Sequence, residues 1–449
     1  MRDKNILKKK PIKRLLTPAP ESKTVPKIIG FLNKFDDFTW IPYLCLYINY
    51  GVEEDFMSEN IYLDNAATTK PYREVKEAME PFLEAEYGNA STEYKLGESA
   101  KKAIEKSRQI IADAISASVD EIYFTSGGSE ADNWAIKGIA GEKKKAGNHI
   151  ITTAIEHHAV LNSCEYLSGL GYTITYVQPD SDGWVSADSI RKALTDKTTI
   201  VSVMYANNEI GTIEPIKEIG KICREKGVIF HTDAVQAVGH IPVNVLEDNV
   251  DMLSLSAHKF HGAKGVGALY IRSGVRIETF MEGGAQENKK RAGTENVAGI
   301  VGLGKAIEIA CENIEEKNKI LSQKRDKLID ELLKIERSRL NGDRVRRLPG
   351  NVNISFEGIE GESLLLLLNM AGICASSGSA CTSGSLDPSH VLLAIGLVHE
   401  IAHGSLRLSL DNNNTFEEID YVVQEVNKIV KRLRDMSPLW ERIIKGENK

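Results

Sequence analysis

From about residue 60 onward the chain alternates short apolar runs with longer amphipathic ones, and this alternation constrains the fold more than any other feature. The runs HIITTAI (149–155), TITYVQ (173–178), TIVSVMY (199–205), VIFHTDA (228–234), MLSLSA (252–257) and ALYI (268–271) are rich in strand-forming residues. Between them REVKEAMEPFLEAEY (73–87), ESAKKAIEKSRQIIADAI (98–115) and PIKEIGKICREKG (215–227) carry helical spacing. The last opens on Pro215 and stops at Gly227, as a helix should. Strands and helices that alternate in this way build an α/β domain around a mostly parallel sheet, buried on both faces. After about residue 310 a charged helix over 312–337 and an α+β tail predict a second, smaller domain. The expected division is a large domain over 72–310 and a small α+β domain made of 57–71 and 311–449.

Residues 1–56 break this pattern. They hold ten Lys/Arg against seven Asp/Glu, in a chain whose net charge is −7. Closely spaced prolines and the lack of any period in KKKPIKRLLTPAPESKTVPK predict an unstructured or non-native extension. A secretory signal would set its apolar run directly after the basic segment and end on small residues; here the run begins at about residue 38 and lacks that ending. That run, 38–52, is 15 residues long and contains Pro42, too short for a span of about 20 residues. The uncharged stretch 363–386 is apolar only around LLLLL (364–368), which predicts a core helix running into a flexible loop. No membrane span is expected. With 56 Lys/Arg against 63 Asp/Glu, no domain has the basic balance of a direct nucleic-acid binder. Six cysteines without a CxxC pair suit a reducing, cytoplasmic setting.

Three constellations carry chemistry. In FTSGGSEADNWAIKG (124–138) a strand ends in Ser-Gly-Gly-Ser and a helix follows at once, placing backbone N–H groups where an anion can sit. In HTDAVQAVGH (231–240) an Asp closes a strand, and 26 residues later Lys259 stands in SLSAHKFHGAKGVG (254–267) at the end of the next. A carboxylate can hold a pyridinium nitrogen protonated, and a lysine can form a Schiff base with an aldehyde cofactor. Both fall where ligands bind in parallel α/β sheets, outside the carboxyl ends of strands. Together Asp233 and Lys259 point to pyridoxal phosphate. Third, ASSGSACTSGSLDPSH (375–390) puts Cys381 among Ser, Gly, Ala and Thr, residues that make no rigid element. A thiolate placed there can attack one group and carry its product elsewhere. Cys374, beside the apolar helix, is expected to be a packing residue.

The segments IYLDNAATT, TSGGSEADN, EHHAV, MYANNEIG, HTDAVQ, SAHKFHGAKG, RAGTEN, SSGSACTSGSLDPSHVL and AHGSLRLSL, in that order, resemble the NifS/IscS-type (group I) cysteine desulfurases, fold-type-I pyridoxal-phosphate enzymes of the class V aminotransferase group. The resemblance runs from about residue 60 to residue 442. It implies L-cysteine as substrate, L-alanine as product, and an enzyme persulfide that donates sulfur to an acceptor protein such as an iron–sulfur scaffold. It implies that Lys259 holds the cofactor, that Asp233 pairs with its ring nitrogen, and that His157 stacks on the ring and moves protons, with His158 as decoy. Asn208 and Gln236 would bond the ring edge; Gly128, Ser129, Ser256 and His258 would cradle the phosphate. Thr294 matches a residue that reaches the phosphate from a second subunit, so a homodimer is implied. Cys381 would be the nucleophile, with no resident metal beyond transient ligation of an iron–sulfur cluster by that thiol. Arg407, with Asn208, would grip the substrate carboxylate, a task that suits its planar fork; His403 has no assigned role. The alternative on the same fold is a selenocysteine lyase or related β-lyase.

Overall fold

The computed structural model describes residues 60–377 and 388–446. The extension 1–56 and Cys381 both lie outside these residues. The strands are β1 (Ile61–Tyr62), β2 (Ile122–Thr125), β3 (His149–Thr153), β4 (Thr173–Val177), β5 (Thr198–Ser202), β6 (Ile229–Asp233), β7 (Met252–Ser256), β8 (Gly267–Ile271), β9 (Ser338–Leu340), β10 (Asn351–Phe356), β11 (Ile373–Cys374) and β12 (Ser405–Ser409). Seven of them form one sheet in the order β2-β8-β7-β6-β5-β3-β4. The pairs from β4 through to β7 are parallel, and β8 runs antiparallel between β7 and β2. The expected α/β class with a mostly parallel sheet is the fold observed.

The reason lies in the alternation of side chains across a strand. On β3, Ile150 joins one buried cluster and Ile151 the other; Ile200 and Val201 of β5 divide likewise, as do Met252 and Leu253 of β7. Each strand therefore buries both faces, which explains its near-continuous apolar run.

The smaller sheets draw on other parts of the chain. β12, β10 and β9 form an antiparallel sheet, and β1 pairs with β11 in parallel. The LLLLL run lies in the helix Gly361–Met370, which buries Leu364, Leu367 and Leu368. Two expectations need correction. The helix over 73–87 is broken into Arg73–Met79 and Pro81–Glu84, because Pro81 has no N–H to continue the ladder and its ring crowds the preceding turn. The charged helix over 312–337 is shorter, Ile314–Leu332, entered through Asn313 at φ 50. Among the described residues no helix is long and apolar enough to cross a membrane.

Candidate active site

The carboxyl ends of β2, β3, β5, β6 and β7 share one edge of the large sheet, and most of the expected site residues stand along it. Asp233 is the last residue of β6 and Ser256 the last of β7. Lys259 closes the short turn Ala257–Lys259 that follows β7, and His157 caps the helix His158–Gly169 that follows β3. The turn after β2 leads directly into the helix Gly128–Glu142, with Gly127 at φ 150, a value that favours glycine. A Cβ on Gly128 would come 2.7 Å from Cγ2 of Val235 and 3.7 Å from Cβ of Ser256. The helix N-terminus thus approaches the ends of β6 and β7 more closely than any side chain would allow. Ser129 lies exposed at that terminus.

Electrostatics tie the centre together. A ligand atom each from Asp132, His157 and Asp233 lies within 4.8 Å of the other two. Asp233 is buried, and the Val235 N–H donates to its Oδ1 at 3.0 Å. Burial pushes its carboxyl up, while His157 and Lys259 draw it back down. The Ala159 N–H donates to His157 Nδ1 at 3.1 Å, so the neutral ring carries its proton on Nε2. Burial, and then the Lys259 charge, push the His157 pKa down against the pull of Asp233. His158 turns instead toward His390, with ring centroids 4.8 Å apart. His258 is lowered to about 4 by burial and by Lys259, so it is neutral at pH 7, and its Nδ1 lies 3.2 Å from the Thr68 hydroxyl.

Lys259 Nζ donates to the carbonyls of Ala66 at 2.6 Å and Ala67 at 2.8 Å. Gln236 donates to the same Ala66 carbonyl at 2.9 Å. The segment LDNAATT is therefore a wall of the pocket. Its contribution to the pocket is made by backbone carbonyls that no residue type announces.

A second group lies where β12 meets the turn at 208–210. Arg407 is 2% exposed; its Nη2 donates to Asp64 Oδ1 at 2.9 Å and its Nη1 to the Asn208 carbonyl at 3.3 Å, leaving Nε buried with no partner among the described residues. Of the two asparagines, Asn207 is consumed by the turn: its amide donates to the Ile155 carbonyl and its oxygen accepts from the Glu209 and Ile210 N–H groups. Asn208, only half-buried, is the one whose side chain is not spent in this way. Glu209 is buried, its carboxyl raised by burial to about 7, and it accepts a short hydrogen bond from the Ser389 hydroxyl. The sequence reading missed Asp64, Asp132 and Glu209, each an acid inside a segment already quoted.

Cys381 has no described position, but its flanks do. Ser376 and Arg407 bridge through paired backbone hydrogen bonds of 3.2 and 2.7 Å, and Ser389 is held by Glu209. Both ends are therefore fastened beside Arg407. Cys374 is half-buried on β11, paired with Tyr62. Thr294 is exposed and lines a cavity of about 150 Å³ with Ser126 and Gly265 of its own chain. His403 lies on the five-residue helix His399–His403, its ring 6.5 Å from that of His399.

These residues fit pyridoxal phosphate. A buried carboxylate can meet a ring nitrogen, a lysine is held by two carbonyls at the strand ends, and a glycine-lined helix N-terminus can receive a phosphate. The buried, unpartnered Arg407 Nε supplies a donor for a carboxylate. If Arg407 grips the substrate, Arg407→Lys should keep the charge beside Asp64 but lose the fork. We expect KM for cysteine to rise and kcat/KM to fall by about 10- to 150-fold, the worth of a hydrogen bond to a charged group. An unchanged KM in an enzyme that still binds cofactor would remove Arg407 from that role.

Residues 61–422 match the family model of the class-V aminotransferases. The chain is 58% identical over 394 residues to cysteine desulfurase IscS of Clostridium botulinum (strain Hall), covering 87% of this chain and 99% of that one. Among solved structures it resembles a NifS-like protein at 40% identity with a TM-score of 0.79, covering 83% of this chain and all of that one. It also resembles SspA in complex with cysteine, at 36% identity and a TM-score of 0.70, covering 79% of this chain and all of that one.

Proposed function

This chain belongs to the class-V aminotransferases, and from that premise we propose that it works as a cysteine desulfurase in which Lys259, Asp233 and His157 serve the cofactor, Arg407 holds the substrate and Cys381 takes the sulfur. The observation that carries this reading is the convergence of Asp233, His157 and Lys259 on one sheet edge, with the Arg407 guanidinium buried beside Asn208. Pyridoxal phosphate is the cofactor, and when bound it supplies the electron sink that makes bonds at the substrate's Cα and Cβ labile.

The chain's own residues supply the rest. Gly128, Ser129, Ser256 and His258 surround the place for the phosphate, and Gln236 and Asn208 border the ring. Asp233 presents a carboxylate to the ring nitrogen. His157 Nε2 is the nitrogen available to pass a proton, because Nδ1 is occupied. Arg407 orients the substrate carboxylate. Cys381 stands five residues from Ser376 and eight from Ser389, so at about 3.5 Å per residue it stays within roughly 17 Å of the first anchor. That tether reaches the substrate and also allows presentation to a partner.

Its thiolate forms a bond to the substrate sulfur, the Cβ–S bond breaks, and the released electron pair takes up a proton at Cβ. Thiol plus cysteine becomes persulfide plus alanine, with no outside oxidant. We further propose a homodimer in which Thr294 completes the partner's phosphate site, a protein sulfur acceptor such as an iron–sulfur scaffold, and a cytoplasmic setting that keeps the thiol reduced. The division into a large 72–310 domain and a small domain fits the placing of all seven strands of the main sheet between 122 and 271.

The test is product analysis with purified protein. Equal amounts of alanine and persulfide sulfur from L-cysteine support the reading. Pyruvate and ammonia would instead identify a β-eliminating lyase, and turnover of selenocysteine but not cysteine would identify a selenocysteine lyase.

A further inference from the structure

Asp132 is a buried carboxyl group that the reaction outlined above does not use. It sits on the first turns of the helix Gly128–Glu142, is 1% exposed, and its Oδ1 has no hydrogen-bond partner among the described residues. Its neighbours come from three elements. Asp233 and His231 face it from β6, Ser254 from β7, and Glu156 and His157 from the turn before the helix His158–Gly169. His231 Nε2 lies 3.7 Å from Asp132 Oδ1, but that ring is itself held between Ser202 at 2.9 Å and Ser254 at 3.0 Å and is kept neutral by burial, its pKa lowered to about 3. Among the described residues no lysine or arginine forms an ion pair with Asp132, and the charges that act on it, Asp233 and Glu156, are both acidic.

We propose that Asp132 is a positioning residue for Asp233: a neutral carboxylic acid behind it that confines a single negative charge to the Asp233 carboxylate, where the cofactor's ring nitrogen meets it. The argument rests on the reading of Asp233 as the ring-nitrogen partner. Two carboxyl groups with oxygens within 4.8 Å of each other in a dry interior do not both ionise. The proton goes to the one with the poorer surroundings. Asp233 has the Val235 N–H and the attraction of His157 and Lys259. Asp132 has a neutral histidine, a serine hydroxyl and two other acids, and burial followed by Asp233 pushes its carboxyl well above the ordinary range. An acceptor-only oxygen without a donor is costly in the interior, and protonation removes that cost. The result is a charge fixed in place and amount, facing the ring rather than spread behind it.

The test uses the holoenzyme and variants Asp132→Asn, Asp132→Ala, Asp132→Ser and Asp233→Asn, reading the pH titration of the bound cofactor's visible absorbance and the cofactor's dissociation constant. Asparagine copies the shape of the neutral acid, so Asp132→Asn should keep the neutral-pH spectrum, the titration midpoint and the cofactor affinity. Asp132→Ala should weaken cofactor affinity by about tenfold and shift the midpoint by about one unit; Asp132→Ser, with a shorter side chain, should do the same if alanine prevents folding. A midpoint displaced by a unit or more in Asp132→Asn would show that wild-type Asp132 is ionised and would overturn the proposal. So would an alanine or serine variant indistinguishable from wild type. An Asp233→Asn variant with an unaltered spectrum and affinity would instead show that the assignment of Asp233 had failed, a separate result from any outcome at Asp132.

Discussion

Lys259→Ala should purify without covalently attached cofactor and should not be trapped by borohydride. Lys259 stands one turn beyond the end of β7, within electrostatic reach of both Asp233 and His157. Lys259 is the lysine whose charge acts on the Asp233 carboxyl. Its amine is held by the Ala66 and Ala67 carbonyls, which orient it toward the sheet edge. Turnover of cysteine should fall by roughly 10³-fold, the scale on which a positioned proton-handling group contributes. The melting temperature of the apoprotein should change little, since alanine removes a charge without opening the core. A borohydride-reducible link in this variant would mean that a different lysine holds the cofactor.

Cys381→Ser should bind cofactor and cysteine as the wild type does and yet form no persulfide, because serine oxygen cannot accept the sulfur. Production of alanine should drop by at least about 10³-fold, the loss expected when the nucleophile is removed and only binding and acid–base groups remain. Small and polar residues surround this cysteine in sequence, and Ser376 and Ser389 anchor the chain on either side of it. The alternative, Cys374, is fixed in a strand pair, with Leu63 N–H bonded to its carbonyl at 2.9 Å, and has no freedom to travel to a second protein. Mass spectrometry after a single turnover decides the matter. A sulfur adduct retained in Cys381→Ser, with wild-type rates of alanine formation, would transfer the role to Cys374.

The strands of the large sheet were legible in the sequence because burial on both faces writes itself into continuous apolar runs. The edge on which the site lies was legible because Asp233 closes β6 and Lys259 follows the end of β7 by three residues. Pro81 also gave its signal locally, and the longer helix over 73–87 yields to it. Other features have no local signature. Asp132 sits in EADN, a string that suits a solvated helix face equally well; only the sheet packed over it makes it a buried acid. Asp64 meets Arg407 across 343 positions, a pairing that periodicity cannot express. His157 and His158 are adjacent and chemically identical, and what separates them is that the first caps the helix with its ring turned to Asp233 while the second faces His390.

The wall that holds Lys259 also sets a timetable for biosynthesis. The Ala66 N–H donates to the Ser409 hydroxyl across 343 positions, Asn65 donates to the Ser409 carbonyl, and the Ser409 N–H returns a bond to Leu63. At translation rates of about 5–20 residues per second, roughly 20 to 70 s separate the appearance of the two halves of that seam. A nascent chain that has emerged only as far as β8 already owns Lys259, Asp233 and His157, and Gln236, His258 and His261 already bond the segment that grips the lysine, but its seam with Ser409 is still open. The wall beside Lys259 is therefore completed only once β12 has been made.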